Sequence, residues 1–284
     1  MKVSILEPSG YCVGVERAMK MAIDTKKNNP SKEVVVLGML VHNEDSLKEL
    51  EKYGIKTIYQ PNCSLEQLIE KISKPSTVIL TAHGHSKSVE EKLFKNGHEI
   101  VDATCPFVKN SFDEIRKSHS PIFYIGVKNH PEATAALSIS EKVTLIDVKD
   151  PKNPNVKCDS PLVISQTTLS KYEIEHINKE IKDKYPSAKF LNGICNASTA
   201  RQDALMNIPN DVELIYVVGG ANSNNSKTLF NLATKLYPNK KVILIQNASD
   251  INKKDLKGLS HIAISSGAST PKQIINEIKN KLLN

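Results

Sequence analysis

Apolar positions along this chain switch between a helical period and short unbroken runs, and the switch recurs in the same order three times. The runs VVVLGM from Val34, IFYIGV from Ile122 and LIYVVG from Leu214 are β-branched and apolar, as strands buried on both faces are. A helical segment precedes each: Val15–Lys27, Phe107–Ser118 and Thr199–Asn207. Each run leads into a polar loop: Val41-His42-Asn43, Asn129-His130-Pro131-Glu132 and Asn222-Ser223-Asn224-Asn225-Ser226. A second helix of variable length follows, then a strand, KTIY, KVTLIDV or KVILI. A further apolar run ends in a second polar loop, as VILTAHG, LVISQTT and IAISSGAS. A third helix closes the unit: SVEEKLFKNG, KYEIEHINKEIKDKY and PKQIINEIKNKLL.

In the first two units a last strand, EIVDATC or KFLNGIC, then delivers a cysteine. The third unit ends at its helix, and the strand it lacks is available at the other end of the chain, in KVSILEPSGYC. Cys12, Cys105 and Cys195 stand 93 and 90 residues apart, and 89 residues follow the last, a near-period that marks a repeat. Strands alternating with helices imply parallel sheets covered by helices. The expected fold is therefore α/β, a trefoil of three pseudo-threefold-related units with parallel sheets around a central cluster cavity. Its units are 13–104, 105–194 and 195–284, the last completed by the strand in 1–12. Ligands of open parallel sheets bind outside the carboxyl ends of the strands, so the three cysteines and six polar loops are expected to face that cavity. The longest irregular stretch, 149–161, carries three prolines and reads as a surface connection.

Composition narrows this picture. At 284 residues the chain can bury a sizeable core, and 39% hydrophobic with 24% charged residues is ordinary for a soluble globular protein. No apolar window is long enough for a transmembrane helix, and MKVSILEPSGYC lacks the apolar region and cleavage site of a signal peptide, so a cytoplasmic protein is expected. The net charge of +7 is carried by lysine, since arginine occurs only at Arg17, Arg116 and Arg201. Such a surface suits an anionic substrate or an acidic partner, and equally a lysine-rich compositional bias. Tryptophan is absent and no basic run is interleaved with aromatics, which argues against nucleic-acid binding. Five cysteines, an odd number with no C-x-x-C pair, argue against a disulfide framework and a zinc ribbon.

Thiolates on three related units suit a cubane iron–sulfur cluster, for which cysteine is the usual ligand. Three ligands leave one of four irons without a protein thiol and open to substrate. Cys63 and Cys158 lie outside the repeated position and read as small buried hydrophobes. The loops supply His42 and His83 from the first unit, His130, Glu132 and Thr167 from the second, and Ser223, Asn225 and Ser269 from the third. Histidine, hydroxyl and amide donors beside helix N-termini can hold a diphosphate without a dense cationic clamp. Glu132 is the one carboxylate within these motifs and the natural proton donor, with Thr167 to relay or orient the proton; a helix first-turn acid is the plainer alternative.

Nine short motifs in register then point to one family. They are Gly10-Tyr11-Cys12-Val13-Gly14-Val15, Val41-His42-Asn43, Ala82-His83-Gly84, Asp102-Ala103-Thr104-Cys105-Pro106, His130-Pro131-Glu132, Gln166-Thr167-Thr168, Ile194-Cys195 with Arg201-Gln202, Asn222-Ser223 with Asn225-Ser226, and Gly267-Ala268-Ser269. Over essentially the whole chain they resemble the 4-hydroxy-3-methylbut-2-enyl diphosphate reductase family, which acts last in the non-mevalonate isoprenoid pathway. The resemblance implies a [4Fe-4S] cluster on Cys12, Cys105 and Cys195. It implies a diphosphate lying among His42, His83, His130, Ser223, Asn225 and Ser269, with Asn224 where the family commonly has serine. It implies Glu132 as proton donor beside Thr167, and a ferredoxin or flavodoxin as electron source. Ala135 stands where the family usually has glycine. Three rivals stay open on the residues alone: a quinolinate-synthase-like dehydratase that needs no external electrons, a non-enzymatic iron–sulfur sensor, and an α/β protein with structural cysteines.

Overall fold

A computed structural model of the chain describes residues 1–73, 75–152 and 154–284. Twelve strands are described, and they form three four-stranded parallel sheets of one connectivity. The sheet of the first repeat contains β2 (Val34–Leu37), β3 (Lys56–Ile58), β4 (Thr77–Leu80) and β5 (Glu99–Asp102), in the order β3-β2-β4-β5. The second contains β6 (Ile122–Gly126), β7 (Val143–Asp147), β8 (Leu162–Ser165) and β9 (Lys189–Phe190), in the order β7-β6-β8-β9. The third contains β10 (Leu214–Val218), β11 (Lys241–Ile245) and β12 (His261–Ser266), and its missing strand is β1 (Lys2–Ile5). There β1 pairs parallel to β12, with Lys2 opposite His261 and Ile5 opposite Ile264, so the amino-terminal strand takes the place that β5 and β9 hold in the other sheets.

The helices are α1 (Val13–Asn28), α2 (Glu44–Lys52), α3 (Leu65–Ile69), α4 (Lys87–Lys95), α5 (Pro106–Lys117), α6 (Pro131–Ile139), α7 (Lys171–Lys184), α8 (Asn196–Leu205), α9 (Asn224–Leu236) and α10 (Lys272–Leu283). Their starts are chemically marked. Pro at the first helical position opens α5 and α6, where its fixed φ and missing N–H cost nothing. Ser170 and Ser223 cap α7 and α9 through their hydroxyls. The central strands β2, β6 and β10 are buried at every residue because helices cover both sheet faces. In the second sheet Phe123 and Ile125 pack on Ile174, Ile177 and Ile181 of α7, while Ile122 and Tyr124 pack on α5 and α6 from the other side. In the third, Leu214, Tyr216, Ile262 and Ile264 pack on Ile274, Ile275 and Ile278 of α10.

By internal contacts the chain forms two compact units, one of Met1–Glu16, Val41–Lys48 and Asn196–Asn284, the other of Arg17–Leu40 and Glu49–Cys195. The first holds the third sheet, and the second holds the other two. Among the described residues no helix is long and apolar enough to cross a membrane. The segment 149–161 carries no helix or strand among its described residues, and Asn153 within it lies outside them.

Candidate active site

Each cysteine of the repeat sits on a turn of the same construction. It stands immediately ahead of a helix: Cys12 before α1, Cys105 before α5 and Cys195 before α8. The Cys12 N–H donates to the Ala268 carbonyl at 2.9 Å, Cys105 to Ala82 at 3.0 Å, and Cys195 to Thr167 at 3.1 Å. Those three acceptors occupy one position, the middle of the loop after β12, β4 and β8. The same backbone bond thus holds three thiols on three strand-to-helix turns. None of the five cysteines, all among the described residues, is in a disulfide, and each is partly exposed. Cys63 and Cys158 stand outside these turns; both pack against hydrophobic cores, as Cys105 also does, and burial, with Asp159 beside it, pushes the Cys158 thiol up. Among the described residues no three His, Cys, Asp or Glu side chains gather around a single metal ion. Thiols identically seated fit a soft, thiolate-held group.

Glu132 is the chemical centre of the second unit. It lies in the first turn of α6, only 1% exposed. Its Oε1 accepts from the Thr167 N–H at 2.9 Å and from the Tyr124 hydroxyl at 2.9 Å, and its Oε2 accepts from Thr167 Oγ1 at 2.8 Å. Burial raises its pKa to about 7, against these three hydrogen bonds, which favour the carboxylate. Glu132 is thus an acid of the helix's first turn, as the plainer reading has it, and a buried one. Because the folded value lies above the ordinary 4.5, the stability this group confers is complete below that pH and is lost as pH rises through about 7. If the protonated form is the working one, turnover falls over the same range. Tyr124→Phe removes a donor to the carboxylate, so the alkaline fall in turnover is expected to move to higher pH; a profile unmoved or moved downward would contradict this coupling.

Strand register aligns the loops. Leu37, Ile125 and Val218 pair with Leu80, Ser165 and Ser266, so Gly38, Gly126 and Gly219 hold one position and His42, His130 and Ser223 another, four residues on. Two residues further stand Glu132 and Asn225. The Asn225 Oδ1 accepts from the Ala268 N–H at 3.1 Å, the counterpart of Glu132 accepting from Thr167, while its Nδ2 donates to Ser198 Oγ at 2.9 Å. One polar seat therefore holds an acid in the second sheet and an amide in the third.

The remaining candidates lie as follows. His83 and His130 meet edge to face, their ring centroids 5.7 Å apart. His130 Nδ1 also accepts from the Glu132 N–H at 3.2 Å, and the αL backbone of Asn129 (φ 65°) turns the chain into it. His42 is held below the usual histidine range, first by burial and then by the Lys227 charge, so it is a neutral ring at neutral pH. Ser223 caps α9 with a bond from the Ser226 N–H at 3.3 Å. Ser226 fills space left by glycines: a Cβ on Gly219 or Gly267 would lie 2.1 or 2.2 Å from its hydroxyl. The Ser269 hydroxyl is buried with no hydrogen-bond partner among the described residues. Asn224 opens α9, half-buried. Ala135 lies mid-helix in α6 and packs with Val108 and Phe112 of α5, so a residue of positive φ is not required there. Tyr124 escaped sequence reasoning, since a tyrosine inside a buried apolar run looks like core until its hydroxyl's partner is known.

Matching thiol turns and a sealed acid poised near neutrality are the equipment of a redox enzyme with a thiolate-held metal group. Comparison with known proteins makes this particular. A family model described as LytB protein matches residues 3–283, and the chain belongs to that family. It is 38% identical to the 4-hydroxy-3-methylbut-2-enyl diphosphate reductase of Malacoplasma penetrans, over 98% of this chain and 96% of that one. It is 36% identical to the reductase of the same name from Bacillus cereus, over 98% and 89%. Among solved structures, the E-1-hydroxy-2-methyl-but-2-enyl-4-diphosphate reductase of Plasmodium falciparum superposes with a TM-score of 0.87 at 29% identity, covering 100% of this chain and 88% of that one. A structure described as (E)-4-hydroxy-3-methyl-but-2-enyl diphosphate reductase, the terminal enzyme of the non-mevalonate pathway, gives 0.67 at 27% identity, covering 100% and 99%.

Proposed function

We propose that this chain reduces 4-hydroxy-3-methylbut-2-enyl diphosphate to isopentenyl and dimethylallyl diphosphates, the last step of the non-mevalonate pathway. The allylic C–O bond breaks, a C–H bond forms, and two electrons and two protons are consumed as the hydroxyl leaves as water. The observation that carries this reading is Glu132, a carboxyl sealed from water yet near neutrality. A group so poised is protonated often enough to donate and acidic enough to do so readily. The near full-length identity with reductases so named supports it.

Cys12, Cys105 and Cys195 would hold a [4Fe-4S] cluster, one from each repeat, with 13–104, 105–194 and 195–284 plus 1–12 as the functional units. When bound, such a cluster supplies electrons one at a time and an iron without a protein thiol. The chain's own residues do the rest. Glu132 delivers a proton at the leaving oxygen, and the Thr167 hydroxyl orients that proton. His42, His83, His130, Ser223, Asn224, Asn225 and Ser269 bind the diphosphate as hydrogen-bond donors. The buried, unpartnered hydroxyl of Ser269 suits a phosphate oxygen. Electrons come from a ferredoxin or flavodoxin, whose acidic surface complements the +7 charge. Five cysteines without a disulfide among the described residues suit a reducing compartment, which we take to be the cytoplasm.

The test is anaerobic purification, cluster reconstitution, and oxidation of reduced methyl viologen on adding the diphosphate substrate. Oxidation that depends on the substrate is expected. A protein that carries iron and sulfide yet leaves the viologen reduced would refute the substrate assignment.

A further inference from the structure

Lysine supplies nearly all the positive charge of this chain, so its few arginines mark places where a lysine would not serve. Arg201 lies on α8, six residues after Cys195, and is 3% exposed. Its guanidinium donates to three carbonyls: Nη1 to Ala197 at 3.0 Å, Nε to Ser266 at 3.2 Å and Nη2 to Gly10 at 2.7 Å. These belong to the start of α8, the end of β12 and the turn ahead of Cys12. A flat fork reaches three acceptors at fixed angles, which a single ammonium cannot do.

The segment it grips is laced from every side. Gly10 has φ +84°, a conformation that disfavours any side chain, and its N–H donates to Ser266 Oγ at 3.3 Å. The Tyr11 hydroxyl bonds to Ser46 Oγ at 2.8 Å, and the Cys12 N–H donates to Ala268. With Gly10 bound through both its N–H and its C=O, the thiol two residues on is confined. Arg17 repeats the device in the other compact unit. It lies on α1, five residues after Cys12, and its Nη1 donates at 3.2 Å to the carbonyl of Thr104, the residue before Cys105.

We infer that Arg201 and Arg17 are positioning residues for the thiols of Cys12 and Cys105, each carried by the helix that follows a different cysteine. The inference rests on the cluster assignment proposed above, and its test separates the two. The reconstituted proteins compared are wild type, Arg201→Lys, Arg17→Lys, Cys12→Ser and Ile278→Ala. Ile278 is fully buried on α10, makes none of the hydrogen bonds that hold the turn, and serves as a control for lowered stability. Two quantities are read, the rate of iron release to a chelator and the electron paramagnetic resonance signature of the reduced cluster.

Arg201→Lys is expected to release iron about 10–100-fold faster, as loss of an outer-sphere partner does, with an altered signature. Arg17→Lys is expected to behave alike, and to carry the test if Arg201→Lys does not fold. Ile278→Ala is expected to keep the wild-type rate and signature despite its lower melting temperature. Wild-type release and signature in both lysine variants would overturn the inference. So would an Ile278→Ala protein that loses iron as fast, since general loosening would then be the cause. Full iron in Cys12→Ser would instead remove the cluster assignment, and the role of Arg201 with it.

Discussion

Glu132→Gln is expected to keep its cluster and its substrate affinity while turnover falls by about 10²–10⁴-fold, the usual cost of losing a positioned acid. The side chain is nearly isosteric, and its amide oxygen can still accept from the Thr167 N–H and the Tyr124 hydroxyl at the places where Oε1 now does. What it lacks is an acidic proton. The fold has little reason to suffer, because burial already keeps the carboxyl protonated well above its ordinary range. Above pH 7 the variant is expected to be at least as stable as wild type, since it avoids ionising a buried group, a difference on the order of 3 kcal/mol at most. Single-turnover kinetics with iron and sulfide analysis would decide. Near-normal turnover in a fully loaded variant would remove Glu132 from the proton path.

The second large effect concerns the thiols. Cys105→Ser is expected to abolish retention of iron and sulfide, because a serine hydroxyl is a poor ligand for the soft metal group that thiolates favour. Cys63→Ser and Cys158→Ser are expected to retain the full complement. Each of these two is absent from the repeated turn, and the thiol of Cys158 is pushed up rather than activated. Metal analysis after anaerobic reconstitution reads all three variants at once. Loss of the cluster in Cys158→Ser, or its survival in Cys105→Ser, would sink the ligand assignment.

Much of the fold was legible because each repeat obeys a rule of pattern. The runs from Val34, Ile122 and Leu214 became the central strands, and the isolated KVSILEPSGYC joined β12 as the repeat required. Helix starts moved by a few residues, toward the cysteine turns that precede them. The helix expected from Val15 begins at Val13, directly after the Cys12 turn, and that expected from Thr199 begins at Asn196, directly after Cys195. KFLNGIC shrank to Lys189–Phe190, for a chemical reason at Gly193. A Cβ there would lie 2.1 Å from the Ser165 carbonyl oxygen, so the segment approaches its neighbour too closely for a regular strand. The short α3 was overlooked although its capping box, Ser64 with Gln67, is written in the sequence.

Of the site, the residue types were legible and the partnerships were not. Glu132 stood out as the one acid within the polar loops, yet its perturbed acidity depends on burial that no local pattern reveals. Tyr124 and Thr167 lie 8 and 35 residues from it in sequence. Arg201 reaches back 191 residues to Gly10. Such pairings come from sheet register, which a sequence implies only after the fold is known.

The pairing of β1 with β12 also sets an order of events during synthesis. The first two sheets draw on contiguous stretches, 34–102 and 122–190, and can form as the chain leaves the ribosome. Lys2 must wait for His261, made long after it, before its ladder can close. A contact of such sequence separation is slow to form and comes late in folding. The turn bearing Cys12 is therefore expected to settle after the turns bearing Cys105 and Cys195, which would make cofactor loading a step that follows synthesis of β12.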